Sequence, residues 1–209
     1  MTIGDWNPDN FKISFPPIKH TGSVVSAPTP WKVANISYYL QNTVIRDAKN
    51  AVINGSKLSG LVLIISIVDY LASFYKGQKT TPQDYIDFLN DFFPGKYKPF
   101  SESIYYQLRC GLLHNLVSTN PFPRNVNINK YDYCIVPESS DHLELSKNGK
   151  TIFSVNHFLT DISRAAHEYF FRLIIKSTDN DLLINNFKKR FRKLNGAGAI
   201  MYEVIIPEI

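Results

Sequence analysis

Apolar residues recur at steps of three and four between residues 32 and 53, the spacing of one face of an amphipathic helix. The repeating positions are Val33, Ile36, Leu40, Val44 and Ala48. Asn54 and Gly55 follow and predict the end of this helix, because both residues favour turns. A second, almost wholly apolar segment covers residues 58 to 75, so we predict an antiparallel helical hairpin over residues 32 to 75.

The second segment, LSGLVLIISIVDYLASFY, is also long enough to span a membrane. Asp69 and several small polar or glycine positions interrupt it, and a lone carboxylate in lipid is costly. We therefore expect a buried core helix, with Ser56 as its N-terminal cap and Gly77 at its end, and no membrane association.

Two shorter helices are predicted next. In TTPQDYIDFLNDFFPG, Thr81 stands at the cap position, Pro82 at the first helical position, and Pro94-Gly95 at the end. The following helix runs from about residue 101 to 117 and contains YYQLRCGLLHNL, whose leucines recur at helical spacing and should bury one face.

A change of pattern after residue 130 indicates strands. The segments YDYCIV, HLELSK and TIFSV are rich in strand-forming residues, and Asn148-Gly149 between the last two is a strong two-residue turn. We predict a small inserted antiparallel β hairpin at about residues 131–155. Helical spacing then returns, with Asn156 as a predicted cap, and residues 179–194 form a final basic helix.

This order of elements predicts a mainly α fold, a helical bundle with a small inserted antiparallel β hairpin. Residues 1–31 carry five prolines and are predicted to be an irregular N-terminal arm. Residues 32–195 form the single predicted domain, and residues 196–209 a C-terminal tail.

Composition adds few constraints. The chain has 209 residues, 44% of them hydrophobic and 13% aromatic, which is typical of a well-packed globular protein. Its formal charge of +5 slightly favours polyanionic partners. Cys110 and Cys134 form neither a C-x-x-C pair nor a zinc-finger pattern, so we predict no metal site, no disulfide and no cofactor. The first residues lack a signal-peptide pattern, and a cytoplasmic location is expected.

Arg109 and His114 stand out on the apolar segment that follows residue 104. Five positions apart on a helix, they do not stack on one face. From the residues alone, Arg109 could form a surface ion pair, and His114 could be favoured by the helix dipole near a C-terminal end. Gly111 lies between them and costs a helix about 1 kcal/mol, which indicates close approach of another helix, for example across a symmetric dimer.

The stretch LRCGLLH, on a late helix after a long helical hairpin and a short third helix, resembles the R-x-x-x-x-H signature of the HEPN superfamily. The likeness covers residues 32–117, and less specifically residues 156–195. It implies a HEPN-like helical domain that acts as a metal-independent endoribonuclease. It further implies a homodimer with an RNA substrate, of the kind found in toxin–antitoxin and antiviral defence systems, and an antitoxin or defence partner protein.

On this resemblance Arg109 and His114 are the catalytic residues. A histidine of near-neutral pKa can move the proton of the RNA 2'-hydroxyl, and a guanidinium can stabilise the phosphorane. Cys110, Gly111 and Asp69 are predicted to support them. Gly111 would let two helices of a dimer meet, and Asp69 would orient His114, pair with Arg109, or serve only as a buried hydrogen-bonding partner.

Two other functions stay open. Cys110 stands where the family often has a polar residue, which favours a non-catalytic HEPN-fold module that binds RNA or protein. A helical scaffold with no role in nucleic-acid binding is the third alternative.

The basic run FKKRFRK, residues 187 to 193, interleaves two phenylalanines with five cations. These cations are predicted to bind nucleic acid through its phosphates: Lys188, Lys189, Arg190, Arg192 and Lys193. The alternative is a solvated face of an amphipathic helix whose phenylalanines are buried.

Overall fold

The computed structural model describes residues 29–115, 131–176 and 181–196. Its helices are α1 (Thr29–Tyr39), α2 (Arg46–Ile53), α3 (Lys57–Lys76), α4 (Pro82–Phe92), α5 (Ser101–Ser103), α6 (Gly111–Asn115), α7 (Val155–Phe171) and α8 (Leu182–Gly196). Its strands are β1 (Tyr133–Val136) and β2 (Thr151–Ser154). π-Helical segments at Leu40–Ile45, Ile104–Cys110 and Arg172–Lys176, and a 3₁₀ helix at Gly95–Phe100, continue or join these helices. The predicted mainly α class is confirmed.

The described chain begins inside what was predicted to be the N-terminal arm. Helix α1 starts at Thr29, so residues 29–31 are helical, and Pro30 occupies the first turn, where a missing backbone donor costs nothing. The rest of the arm, most of the C-terminal tail and residues 116–130 lie outside the described residues.

Helix α3 is the centre of the bundle, and it packs against α2, α4, α7 and α8. Six of its apolar side chains are fully buried: Leu61, Ile64, Ile65, Val68, Leu71 and Ala72. Within the described residues it is the one helix long and apolar enough to cross a membrane, with a mean hydropathy of 1.8, and 56% of that stretch is buried inside the fold. The core of the bundle therefore accounts for its composition.

The predicted helical hairpin is formed by α2 and α3. Gly55 turns the chain with a φ of +84°. Ser56 stands at the N-cap position of α3, as predicted, but its side chain makes no capping hydrogen bond. A Cβ at Gly60 would lie 2.4 Å from Cγ2 of Val52 and 3.2 Å from the carbonyl oxygen of Ala48. Gly60 is therefore the residue that lets the two helices approach closely.

Caps define the ends of the next helices. Thr81 Oγ1 accepts a hydrogen bond from the Asp84 N–H at 3.2 Å, and the Asp84 carboxylate accepts one from the Thr81 N–H at 3.0 Å, which confirms the predicted start of α4. Gly77 ends α3 with a φ of +69°, also as predicted. Helix α7 is capped by Ser154 and not by Asn156, because Ser154 is the last extended residue before the helix.

The prediction of an antiparallel β hairpin is wrong. Strands β1 and β2 pair in parallel, with Tyr133 opposite Thr151 and Val136 opposite Ser154. The Asn148-Gly149 turn does form, but the segment before it pairs antiparallel only at one bridge, between Leu145 and Thr151. Leu143 adopts a positive φ of 69°, which ends the extended backbone that a longer antiparallel ladder would need.

Candidate functional site

The candidate site lies on the helix that contains Arg109. Residues 104 to 110 form a π-helical segment, and α6 continues from it. π-Helical turns are rare and frequently lie at functional sites. Arg109 is near the end of this segment, and the backbone of His114 lies on the next turn, in α6. The side chain of His114 lies outside the described part of the structure.

Arg109 is held by the carboxylate in the central helix. Its Nε donates a hydrogen bond to Oδ2 of Asp69 at 2.9 Å, and the side chains of both residues are 20% exposed. Burial alone would lower the pKa of this guanidinium, but the charge and hydrogen bond of Asp69, together with the nearby Cys110 and Tyr105, outweigh burial, so the pKa of Arg109 is raised. Of the roles predicted for Asp69, pairing with Arg109 is confirmed.

Two side chains of the same helix contact the Arg109 guanidinium. The ring centre of Tyr105 lies 5.3 Å from the guanidinium carbon of Arg109. Sγ of Cys110, which is half-buried, lies 3.9 Å from Nη1 of the same side chain. Burial first, and then the nearby Cys110, raise the pKa of Tyr105 to about 12, so its hydroxyl stays protonated at neutral pH.

Tyr85 of α4 packs against Tyr105 on the buried side of the Arg109 helix. It is fully buried, its ring lies 5.2 Å from that of Tyr105, and its hydroxyl has no hydrogen-bond partner among the described residues. Burial and then the Asp69 carboxylate raise the pKa of Tyr85 far above its ordinary value. Sequence reasoning missed both tyrosines. The spacing of four between Tyr105 and Arg109 could have indicated the first, but tertiary packing alone brings in the second.

The inserted strand supports the helix on which Arg109 lies. Oε1 of Gln107 accepts hydrogen bonds from the hydroxyl of Ser103 and, at 3.2 Å, from the backbone N–H of Tyr131. The hydroxyl of Tyr133 donates to Ser103 Oγ at 3.0 Å. The beginning of β1 is thereby fastened to the π-helical segment two residues before Arg109.

Gly111 has helical backbone angles, with φ −60° and ψ −50°, and is buried within a single copy of the protein. Its predicted role at a dimer interface stays a prediction.

Helix α8 divides the five predicted nucleic-acid-binding residues into groups. Phe187 and Phe191 are buried in the core, so the helix is amphipathic, as the alternative interpretation had it. Nε of Arg190 donates to Ser73 Oγ of α3 at 3.0 Å, which makes Arg190 part of the packing. Lys188 is half-buried, and the side chains that extend into solvent are Lys189, Arg192 and Lys193.

A second polar cluster joins the 3₁₀ helix, the insert and α7. The backbone N–H of Ser154 donates to Nδ1 of His142 at 2.9 Å, so the proton of this ring lies on Nε2, which faces the hydroxyl of Tyr97 at 2.7 Å. That hydroxyl donates to Oδ2 of Asp161 at 2.8 Å. Burial, then Lys96 and His157, lower the pKa of His142 to about 3, so the ring is neutral at physiological pH.

Sequence reasoning missed this cluster, and its burial argues against direct contact with a substrate. Tyr97, His142 and Asp161 are at most 5% exposed. Each of the three hydrogen bonds in the cluster pairs a donor with an acceptor, as in a buried network that stabilises a fold.

No family model, curated protein or solved structure matches this chain. Across residues 29–115, 131–176 and 181–196, no group of three or more His, Cys, Asp or Glu side chains is placed to hold a metal ion. The partly exposed ion pair between Arg109 and Asp69 is the feature of the described residues on which the proposed function rests.

Proposed function

We propose that this protein is a metal-independent endoribonuclease of the HEPN type that acts as a homodimer, with Arg109 and His114 as its catalytic residues. The observation that best supports the proposal is the bond between Arg109 and Asp69. It fixes the plane of a permanently charged guanidinium five residues before His114, and the side chain keeps 20% exposure through which an anion can reach it. Fixed guanidinium groups are well suited to phosphate binding.

The proposed reaction is attack by the 2'-hydroxyl of RNA on the adjacent phosphate. His114 accepts the 2'-proton as the 2'-oxygen bonds to phosphorus, and Arg109 stabilises the negative charge of the phosphorane. The 5'-oxygen of the next nucleotide leaves and takes up a proton, which His114 of the second subunit supplies. The products are a 2',3'-cyclic phosphate and a free 5'-hydroxyl.

One observation favours the second candidate, a non-catalytic module of the same fold that binds RNA or protein. The charge of Arg109 is largely compensated by Asp69, and the next side chain is the thiol of Cys110. In that case the ion pair would hold the helix in place and phosphate would bind elsewhere.

The decisive experiment is RNA cleavage in the presence of EDTA. We expect cleaved RNA with cyclic-phosphate ends, while DNA, which lacks the attacking hydroxyl, stays intact. His114→Ala should abolish cleavage, and Arg46→Ala, which removes an exposed arginine of α2, is the matched control for Arg109→Ala.

The other outcomes select between the alternatives. Cleavage that requires magnesium or survives His114→Ala contradicts the mechanism. RNA binding without cleavage supports the non-catalytic module, and Cys110→Asn would then test whether a polar residue restores activity. A monomer at micromolar concentration in light scattering contradicts the shared-cleft arrangement, and a protein that neither binds nor cleaves RNA is the helical scaffold.

A further inference from the structure

Helices α1 and α8 carry only positive charges. Neither contains an aspartate or glutamate. Their cations are Lys32, Lys188, Lys189, Arg190, Arg192 and Lys193. The Nζ of Lys32 lies 5.1 Å from the ring centre of Phe191, so the two helices bring their charges to one surface.

The cations on this surface are close enough to repel one another. The pKa of Lys32 is lowered, first by partial burial and then by the charges of Arg192 and Lys188. A surface that concentrates charges of one sign is destabilised by self-repulsion, and bound anions relieve that repulsion.

The outward side of α8 has the geometry of a linear contact. Lys189, Arg192 and Lys193 are exposed at spacings of three and four, so they lie on one face of the helix. Three apolar residues of the helix are buried in the core, Ile184, Phe187 and Phe191, whereas Leu182 at its N-terminal end is exposed. A helix that binds a membrane interface needs its apolar face available, and a protein interface is anchored by apolar or aromatic side chains. The exposed face of α8 carries three cations and the single apolar side chain of Leu182, a composition that favours a polyanion over both.

The basic surface reaches α3 close to the candidate site. Arg190 binds Ser73, which follows Asp69 by one helical turn, about 6 Å along the axis. Asp69 in turn holds Arg109. Helix α8 and the Arg109 side chain thus contact α3 within one helical turn of each other.

We propose that Lys32, Lys188, Lys189, Arg192 and Lys193 bind the phosphate backbone of the RNA strand whose scissile phosphate is held by Arg109. The identity of the polymer rests on the function proposed above, whereas the surface itself rests on the charges and exposure of α1 and α8. Contacts of this kind are independent of base sequence and weaken steeply with salt.

The test reverses the exposed charges of α8. The variant Lys189→Glu, Arg192→Glu and Lys193→Glu is compared with Lys57→Glu, Lys98→Glu and Lys147→Glu, which makes the same change in net charge at exposed positions elsewhere. Lys57 lies sixteen residues before Ser73 on α3, about 24 Å along the axis. Binding of a fluorescent oligouridylate is followed by anisotropy over a salt series, with both variants in a His114→Ala background so that the probe stays intact.

We expect the α8 variant to bind RNA at least about tenfold more weakly at low salt, with a salt slope reduced by about 2 for three lost phosphate contacts. The control should stay within about twofold of the parent protein. With His114 present, the α8 variant should raise KM for cleavage and leave kcat unchanged. Equal binding by the α8 variant and its control overturns the proposal, and so does binding to phosphatidylserine vesicles by a protein that does not bind RNA.

The two proposals fail in different ways. If RNA stays uncut by the wild-type protein but the α8 variant loses binding, the ribonuclease fails and the RNA-binding surface stands. If RNA is cut and the α8 variant leaves KM and the salt slope unchanged, the surface fails and the ribonuclease stands.

Discussion

Two clusters in this fold use an aspartate to join distant parts of the chain, and they differ in exposure. Asp161 accepts a hydrogen bond from Tyr97, which in turn contacts His142, and all three residues are at most 5% exposed. Lys96 and Arg164 each approach the Asp161 carboxylate at 4.0 Å. Asp69 forms an ion pair with Arg109 in which both side chains are 20% exposed.

The difference indicates what each cluster does. A buried, fully connected network stabilises the fold, because removing one member leaves polar groups without partners. An ion pair whose side chains are 20% exposed lies between a surface pair, which contributes about 0–1 kcal/mol to stability, and a buried pair, in which the loss of one partner costs about 3–5 kcal/mol. The pair between Asp69 and Arg109 therefore helps to hold the Arg109 helix on α3, and its remaining exposure leaves the guanidinium open to an anion.

The largest expected effect is the loss of cleavage in Arg109→Ala. Removing a group that stabilises charge in a transition state typically lowers kcat by about 100- to 1000-fold. The free energy of unfolding should fall by about 1–3 kcal/mol, because Asp69 loses this ion pair at a position where its side chain is only 20% exposed. Cleavage assays and urea unfolding measure the two effects. Unchanged cleavage together with a large loss of stability would reverse the roles of the two clusters.

Next in size is the loss of stability in Tyr97→Phe. Without the hydroxyl, His142 loses its acceptor and Asp161 its donor, so the free energy of unfolding should fall by about 2–3 kcal/mol, or roughly 4–12 °C in Tm. Tyr131→Phe is the matched control, since its hydroxyl is exposed and makes one long bond of 3.4 Å to Pro99. The kcat of both variants should equal that of the wild type, and a fall in kcat for Tyr97→Phe alone would give the buried network a part in catalysis.

A gradual effect is expected from pH. The pKa of His142 is lowered from 6.5 to about 3 in the folded protein, so between these values the unfolded chain binds a proton that the folded chain does not. The stability from this group is present above pH 6.5 and is lost as pH falls, with a slope of up to about 1.4 kcal/mol per pH unit. Urea unfolding between these pH values should show this slope, and His142→Gln should reduce it. An unchanged slope in His142→Gln would assign the effect to other groups.

The smallest effects come from making the same substitution in each cluster. Asp69→Asn removes a charge from a partly exposed pair, and its free energy of unfolding should change by about 0–1 kcal/mol. Asp161→Asn changes a buried acceptor, with a cost of about 1–3 kcal/mol. Equal losses in thermal unfolding would remove the distinction between the clusters.

Local signals in the sequence were enough to predict much of the bundle. Thr81 and Pro82 start α4, and Gly77 ends α3, because a side-chain oxygen, a fixed φ and a positive φ each act within a few residues. Asp69 and Arg109 could be singled out for a similar reason. Each is a charge in an apolar helix and breaks the pattern around it.

Features that depend on tertiary packing were not predicted. Tyr97 is separated from His142 by 45 positions and from Asp161 by 64, and none of the three interrupts a local pattern. The prediction of the strand pairing was wrong for a related reason. The turn at Asn148-Gly149 is local, but the parallel partner of β2 is decided by how β1 is fastened to the helix of Arg109.

Ser154 has a consequence for the order in which the protein opens. It is the last residue of β2 and the cap of α7, and its amide donates to a buried histidine. That amide reaches solvent only when β2 and His142 separate, and because the side chain of Ser154 also caps α7, we expect its hydrogen exchange to be as slow as that of the core amides of α7. Equal protection would make the insert and the bundle one cooperative unit, from which residues 131–154 could not be removed as a separate module.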